Sequence, residues 1–506
     1  MLTMFVKTRV SWLCRQGHQA LQRLLYNDVR LERANLSILA RNRAHLPLMI
    51  QESAVAMRYL RLLGPLDWEH FPERDLDRNW GIPAVPYAPF VAACLVKVDH
   101  QFRYMARLRA YLVEHPALVW ILGFPLTASS ASVWGFDVDA SLPAHRHFNR
   151  MLRTMPNEPL QFLLDNTVQV LKASLPTSCR FGEAVSVDTK HILAWVKENN
   201  TKAYVAADDR YDKERQPTGD PDCRLGCKKR RNQRTTVQES PPTPLTNPVP
   251  ANTVKVGEFY WGYGTGIVAT KVPEWGEFVL AEYTQAFNCA DITYFFPLME
   301  ATTRRLGQYP RFGAFDAAFD AFYVYAAFHS TEHDGFAAVP LAERGPQATR
   351  TFNAEGLPLC QAELAMPLKS TFQCRTALVE HEKGRYACPL QGRSTRDQTC
   401  PVNHKNWAKG GCVTTMPTSV GARIRHQLDR DSHTYKNVYK QRTATERINS
   451  QAVELGIERP KIRNGRAIAN QNTLIYIVIN LRAIQRVHTK KGTAPQIQSV
   501  SPSLTP

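Results

Sequence analysis

From residue 1 to about 178 apolar side chains recur at intervals of three and four, as in FVAACLVKVDHQFRYMARLRAYLVEH and PLQFLLDNTVQVLKASL. That spacing predicts an all-helical domain. Within it HRHFNRMLRTM sets Phe148, Met151 and Leu152 beside His145, Arg146, Arg150 and Arg153, so one face packs while another stays basic. Such a face suits solvent or a DNA groove. At EAVSVD, residues 183–188, the period falls to two: Val185 and Val187 share a face, and Asp188 ends the predicted strand.

The pattern then breaks. A polar stretch, about 205–253, predicts a basic loop whose Lys228, Lys229, Arg230, Arg231 and Arg234 either lie along the phosphates of bound DNA or stay solvated. Beyond it GIVATKVPEWGEFVLAEYT reads as two strands joined at PEWGE, and ADITYFFPLMEATTRRL as an amphipathic helix closed by Gly307. RFGAFD is a short strand ending at Asp316, AAFDAFYVYAAFHS a helix, and GFAAVPL another strand. Together these predict an α/β core, a mixed sheet flanked by helices, over residues 179–344. Residues 345–430, rich in Cys, Gly and Pro, read as an insertion. Residues 431–487 close the core with a basic helix and then NQNTLIYIVINLRAIQRV, and 488–506 form a tail too polar to fold alone.

Composition narrows the partners. The 506 residues carry 63 Lys and Arg against 45 Asp and Glu, a formal charge of +18, which favours a polyanion, nucleic acid first and an acidic membrane second. No apolar run reaches the roughly 20 residues that span a bilayer. The start, MLTMFVKTRVSWLCRQ, lacks the apolar core and cleavage site of an export signal, so the expectation is an intracellular chain whose 11 cysteines are thiols or metal ligands.

Three acids stand in informative places. Asp188 and Asp316 follow predicted strands, where open sheets place ligands, although an Asp before a helix is also a favoured N-cap. In YKQRTATER, residues 439–447, Glu446 is the one acid among Lys440, Arg442 and Arg447. On a helix Tyr439, Arg442 and Glu446 share a face, with Val438, Ile448, Ala452 and Leu455 on a packed stripe beside it. A plain Arg442 to Glu446 surface bridge is the simplest reading of that pair.

VSVDTKHI, FGAFDAAFDAF and Tyr439-x2-Arg442-x3-Glu446, in this order, resemble the DDE-type transposases of bacterial insertion sequences over about residues 180–490. Val453 stands where the family element has a lysine. The resemblance implies a ribonuclease H-like fold and a DNA transposase that cuts a strand and transfers it. It implies two Mg2+ or Mn2+ ions held by Asp188, Asp316 and Glu446, the combination that an in-line phosphodiester displacement requires. It also implies DNA contacts by Tyr439, Arg442, Lys436, Lys440 and Arg447, a homodimer on paired DNA ends, no membrane partner, and a cytoplasmic location with the bacterial nucleoid. A nuclease or resolvase of the same fold, and a DNA-binding derivative without catalysis, fit the same charge.

Within the insertion Cys388, Cys400, His404 and Cys412 make a candidate structural zinc set, with Cys400 and His404 as one half-site. The Cys-x2-Cys pairs of a zinc finger are missing, so free or buried thiols are the competing expectation.

Overall fold

The computed structural model describes residues 46–74, 86–203, 205, 207–228, 258–329, 335–342, 350–391 and 398–492. Its main sheet is built from β1 (Ala184–Leu193), β2 (Arg224–Lys228), β3 (Glu258–Val272), β4 (Gly276–Ala286), β5 (Phe312–Ala314) and β6 (Phe336–Ala338). The strands run in the order β4-β3-β1-β5-β6, with β2 paired to the first residues of β3. β1, β5 and β6 are parallel, whereas β3 is antiparallel to both β1 and β4, so the sheet is mixed.

The apolar alternation decides which face goes where. Val185 and Val187 point to one side, with Val268 and Leu280, and pack on α7 (Phe295–Leu306) and α8 (Phe322–Phe328). As predicted, Gly307 closes α7, its φ of 78° placing it in the left-handed region that a side chain resists. The opposite face, with Ile267, Ala269 and Val279, meets α11 (Thr443–Glu454) and the buried α12 (Gly465–Lys490). The α/β expectation is therefore met.

Between residues 46 and 178 the described elements are helical: α1 (Ala54–Leu63), α2 (Tyr87–Asp99), α3 (Met105–Val113), α4 (Pro116–Ile121), α5 (His145–Thr154) and α6 (Glu158–Ser174), with two single-turn helices. Their apolar side chains join those of α12 in one core. The buried Asp99 shows how closely the two are tied, because Arg482 of α12 donates to it from Nη2 at 2.8 Å while Tyr59 of α1 donates at 2.9 Å. On α5, Phe148, Met151 and Leu152 are buried, and His145, Arg146, Arg150 and Arg153 face solvent.

The insertion builds a sheet of its own from β7 (Leu368–Cys374), β8 (His381–Ala387) and β9 (Val413–Pro417), followed by α9 (Val420–Gln427). It docks on the core through α9. Gly421 lies so close to α8 that a Cβ there would sit 2.0 Å from the Phe322 carbonyl oxygen, and Arg425 forks onto the buried Asp320.

Several expectations are corrected. Asp188 does not end its strand, because the following residues keep pairing with β3 as far as Leu193. The basic stretch about 205–253 is not all loop: RLGCK forms β2, a strand that owes its existence to β3 beside it rather than to apolar alternation. The tail does not begin at 488, since α12 continues to Lys490, and residues 493–506 lie outside the described set. YKQRTATER is not one regular helix. The chain runs from α10 (His433–Tyr439) through a 3-10 turn, Lys440–Arg442, into α11, with all three segments right-handed.

Candidate active site

The last parallel pair between β1 and β5 is Ser186 with Ala314, and Asp188 and Asp316 each lie two positions further on. Neighbouring strands are about 4.8 Å apart, so the two acids sit side by side at one level of the sheet. Pleating sends Val187 to the α7 side and Asp188 to the α11 side. There Asn449, one turn beyond Glu446, donates from Nδ2 to Asp188 Oδ2 at 3.0 Å. Asp316 also caps the next turn, accepting from the Ala318 amide at 2.9 Å, so it is both an N-cap and a site acid.

Arg442 ties this group together. Its Nη1 donates to the Tyr439 hydroxyl at 3.2 Å, and Nη2 lies 3.9 Å from Glu446 Oε1. Burial works against its charge, but Tyr439, Asp188 and Asp316 together hold the guanidinium firmly protonated. Burial pushes the Asp188 carboxyl up to about 6, with Arg442, the Thr189 amide and Asn449 pulling it back and Asp316 adding to the rise. Asp316 is raised too, first by burial and then by Asp291, against the Ala318 amide and Arg442. The Arg442 to Glu446 contact is too long and exposed to explain the helix by itself.

The second acid of FGAFDAAFDAF has another duty. Asp320 accepts from Arg425 Nε at 2.7 Å and from the Tyr325 hydroxyl at 2.8 Å. Burial would raise it, yet Arg425 and these hydrogen bonds outweigh burial and hold it below the usual range. Asp320 is thereby committed to docking the insertion, and Asp316 is left available.

No protein-family model matches the chain, and no curated protein matches it in sequence.

Two neighbours went unnoticed in the sequence. Asn449 shares the face of Glu446 at a spacing of three, which helical periodicity offers as a clue. Asp291, inside NCADITYFFPLME, accepts from Thr189 Oγ1 at 3.1 Å, and nothing local to its sequence marks it. The basic residues divide. Lys436 pairs with Asp431 at 3.8 Å, Arg447 reaches Glu277 at 2.5 Å, Lys440 is exposed, and Lys228 ends β2 opposite Glu258. Lys229, Arg230, Arg231 and Arg234 lie outside the described residues.

Among the described residues no three His, Cys, Asp or Glu side chains are gathered tightly enough to hold a metal ion as they stand. The chemistry of Asp188 and Asp316 nevertheless suits a hard divalent cation, which takes oxygen donors. Asn449 Oδ1, buried beside them, has no hydrogen-bond partner. The Glu446 side chain is 59% exposed.

Among the described residues Cys388, Cys400, His404 and Cys412 do not form one tight group as they stand. Cys388 and Cys412 face each other where the β8 and β9 ladder continues, the Cys388 amide donating to the Cys412 carbonyl at 2.8 Å. Burial pushes the Cys412 thiol up to about 12, and the neighbour thiols acting on it are Cys388 and Cys360. His404 instead accepts at Nδ1 from the Asn406 amide at 3.2 Å. The described cysteines are free thiols. No helix among the described residues is long and apolar enough to cross a membrane.

Proposed function

We propose that the chain is a divalent-metal-dependent DNA transposase with a ribonuclease H-like core, which cuts a phosphodiester bond and joins the freed 3' hydroxyl to target DNA. The observation that carries this reading is that Asp188 and Asp316, from segments far apart in the chain, meet Arg442 and Asn449 of the segment that carries Glu446. The strand order β4-β3-β1-β5-β6, with β3 alone reversed along that path, supports the fold assignment. The formal charge of +18 supports a nucleic-acid partner.

Asp188 and Asp316 would hold the metal, with Glu446 as the third ligand. Bound there, divalent ions lower the pKa of a nucleophilic water and neutralise the leaving oxygen. The side chains set the stage for that chemistry. Asn449 fixes the Asp188 carboxylate, Arg442 offers its guanidinium fork to a phosphate, and Tyr439 orients that fork. Arg442 Nε is buried without a hydrogen-bond partner, a donor that a phosphate oxygen would satisfy. Within residues 439–447 Glu446 is the one acid among Lys440, Arg442 and Arg447 because the metal needs a ligand there and the phosphates need the cations around it.

The test uses duplex DNA from the two flanks of the coding region, end-labelled and incubated with the protein, Mn2+ and a target plasmid. Strand cleavage leaving a 3' hydroxyl, followed by covalent joining to the plasmid, is expected. Cleavage without joining would make the protein a nuclease. DNA binding without cleavage would remove the enzymatic reading.

A further inference from the structure

A second charged feature lies at the other end of α11. There the turn leading from α11 into α12 and the end of α2 enclose a cleft of about 240 Å3, whose lining includes Lys97, Arg103, Arg459, Lys461 and Gln471. Lys97 is only 5% exposed, and its ammonium makes a single hydrogen bond, to Gln471 Oε1 at 3.2 Å. Burial pushes its pKa down and no carboxylate raises it again; its one titratable neighbour is the Cys94 thiol. A buried cation without an acid is costly unless something else supplies the negative charge.

The rest of the lining points the same way. The side chains of Arg103 and Arg459 are exposed and have no hydrogen-bond or ion-pair partner among the described residues. Lys461 rests over the Trp195 ring, 5.3 Å from its centre. The acid in the lining, Glu458, is already neutralised by Lys190 at 2.6 Å. Four cations therefore face a cavity whose acid is spoken for, an arrangement suited to an oxyanion.

We propose that this cleft binds a phosphate group of a nucleic-acid backbone at a second point, apart from the carboxylates, with Lys97 at its floor and Arg103, Arg459 and Lys461 around its mouth. That DNA is the source of the phosphate rests on the function proposed above; the preference for phosphate does not. The placement suits a continuous strand. Val453, in the lining, is seven residues beyond Glu446 on the same helix, which is about 10 Å of rise, or roughly three nucleotide steps.

The experiment has two arms, each run on wild type, Lys97→Met and Arg459→Gln. In the first, melting temperature is followed against inorganic phosphate, with chloride matching the ionic strength. Wild type is expected to gain stability by ligand linkage, and both variants to lose most of that gain. In the second, duplex DNA affinity is measured against salt, and the slope of log affinity on log salt should shrink by about 0.9 for the contact removed. Exposed Arg459 keeps the test readable should Lys97→Met fail to fold. No phosphate stabilisation in wild type, or equal stabilisation in Arg459→Gln, overturns the cleft. Phosphate stabilisation with an unchanged DNA slope overturns DNA as its source, and so does a wild type that does not bind DNA. In that last outcome the phosphate arm still reads, so the two failures are told apart.

Discussion

Asn449 Nδ2 donates to Asp188 Oδ2 at 3.0 Å, joining a helix to a strand 261 residues earlier in the chain. This bond fixes the central carboxylate, and changing it should move a pH profile rather than only a rate. In Asn449→Asp a second carboxylate replaces the donor, so the Asp188 carboxyl should rise further above about 6. The acid limb of cleavage, which needs ionised Asp188, should then shift to higher pH, and Asn449→Ala should shift it less. A profile of unchanged shape would mean that Asn449 matters only for packing.

Asp188 also makes a prediction about stability. Its folded pKa is raised, to about 6 from the ordinary 3.8, so the folded state holds its proton more tightly than the unfolded chain does. The stability this contributes is fully present below about 3.8 and is lost as pH rises through about 6. Asp188→Asn should therefore be more stable than wild type at pH 8 by at most about 3 kcal/mol, with the difference closing toward pH 4. Denaturant melts at the two pH values measure this.

Arg442 faces Asp188 and Asp316 and lies 3.9 Å from Glu446, so its charge and its fork can be separated by substitution. Arg442→Lys keeps the charge and loses the bidentate geometry; Arg442→Gln loses both. Cleavage should fall by about 10-fold or more in Arg442→Lys and by about 100-fold or more in Arg442→Gln. The Asp188 carboxyl should rise in Arg442→Gln alone, read as an upward move of the pH profile.

The insertion should be indifferent to zinc. Met366, Tyr386, Met416 and Ala422 give it a small core, and its ladder runs through β7, β8 and β9. A strong chelator should leave its thermal unfolding unchanged, and Cys400→Ser with His404→Ala should shift it little. Loss of the insertion's resistance to proteolysis on chelation would show a structural metal there.

Much of the sheet was legible because its signals are local. Val185 and Val187 alternate, the PEWGE turn separates two apolar runs, and Gly307 ends a helix. What escaped was set by neighbours distant in sequence. Residues 189–193 are strand because β3 pairs with them, not because they alternate cleanly. β2 emerges from a polar stretch for the same reason. The acids Asp188 and Asp316 could be singled out by order and context, but their adjacency depends on the parallel pairing of Ser186 with Ala314. FGAFDAAFDAF offers two acids, and only Arg425, about a hundred residues later, shows that Asp320 is taken. The union of the N-terminal helices with α12 likewise depends on contacts that no local period encodes.

The most direct measurement is the rate of DNA strand cleavage in Mn2+ by wild type, Asp188→Asn, Asp316→Asn and Glu446→Gln, with DNA affinity recorded beside each rate. Each variant should cut at least about 100-fold more slowly than wild type while binding DNA with nearly unchanged affinity. Cleavage at the wild-type rate by any one of the three would contradict a shared three-carboxylate site.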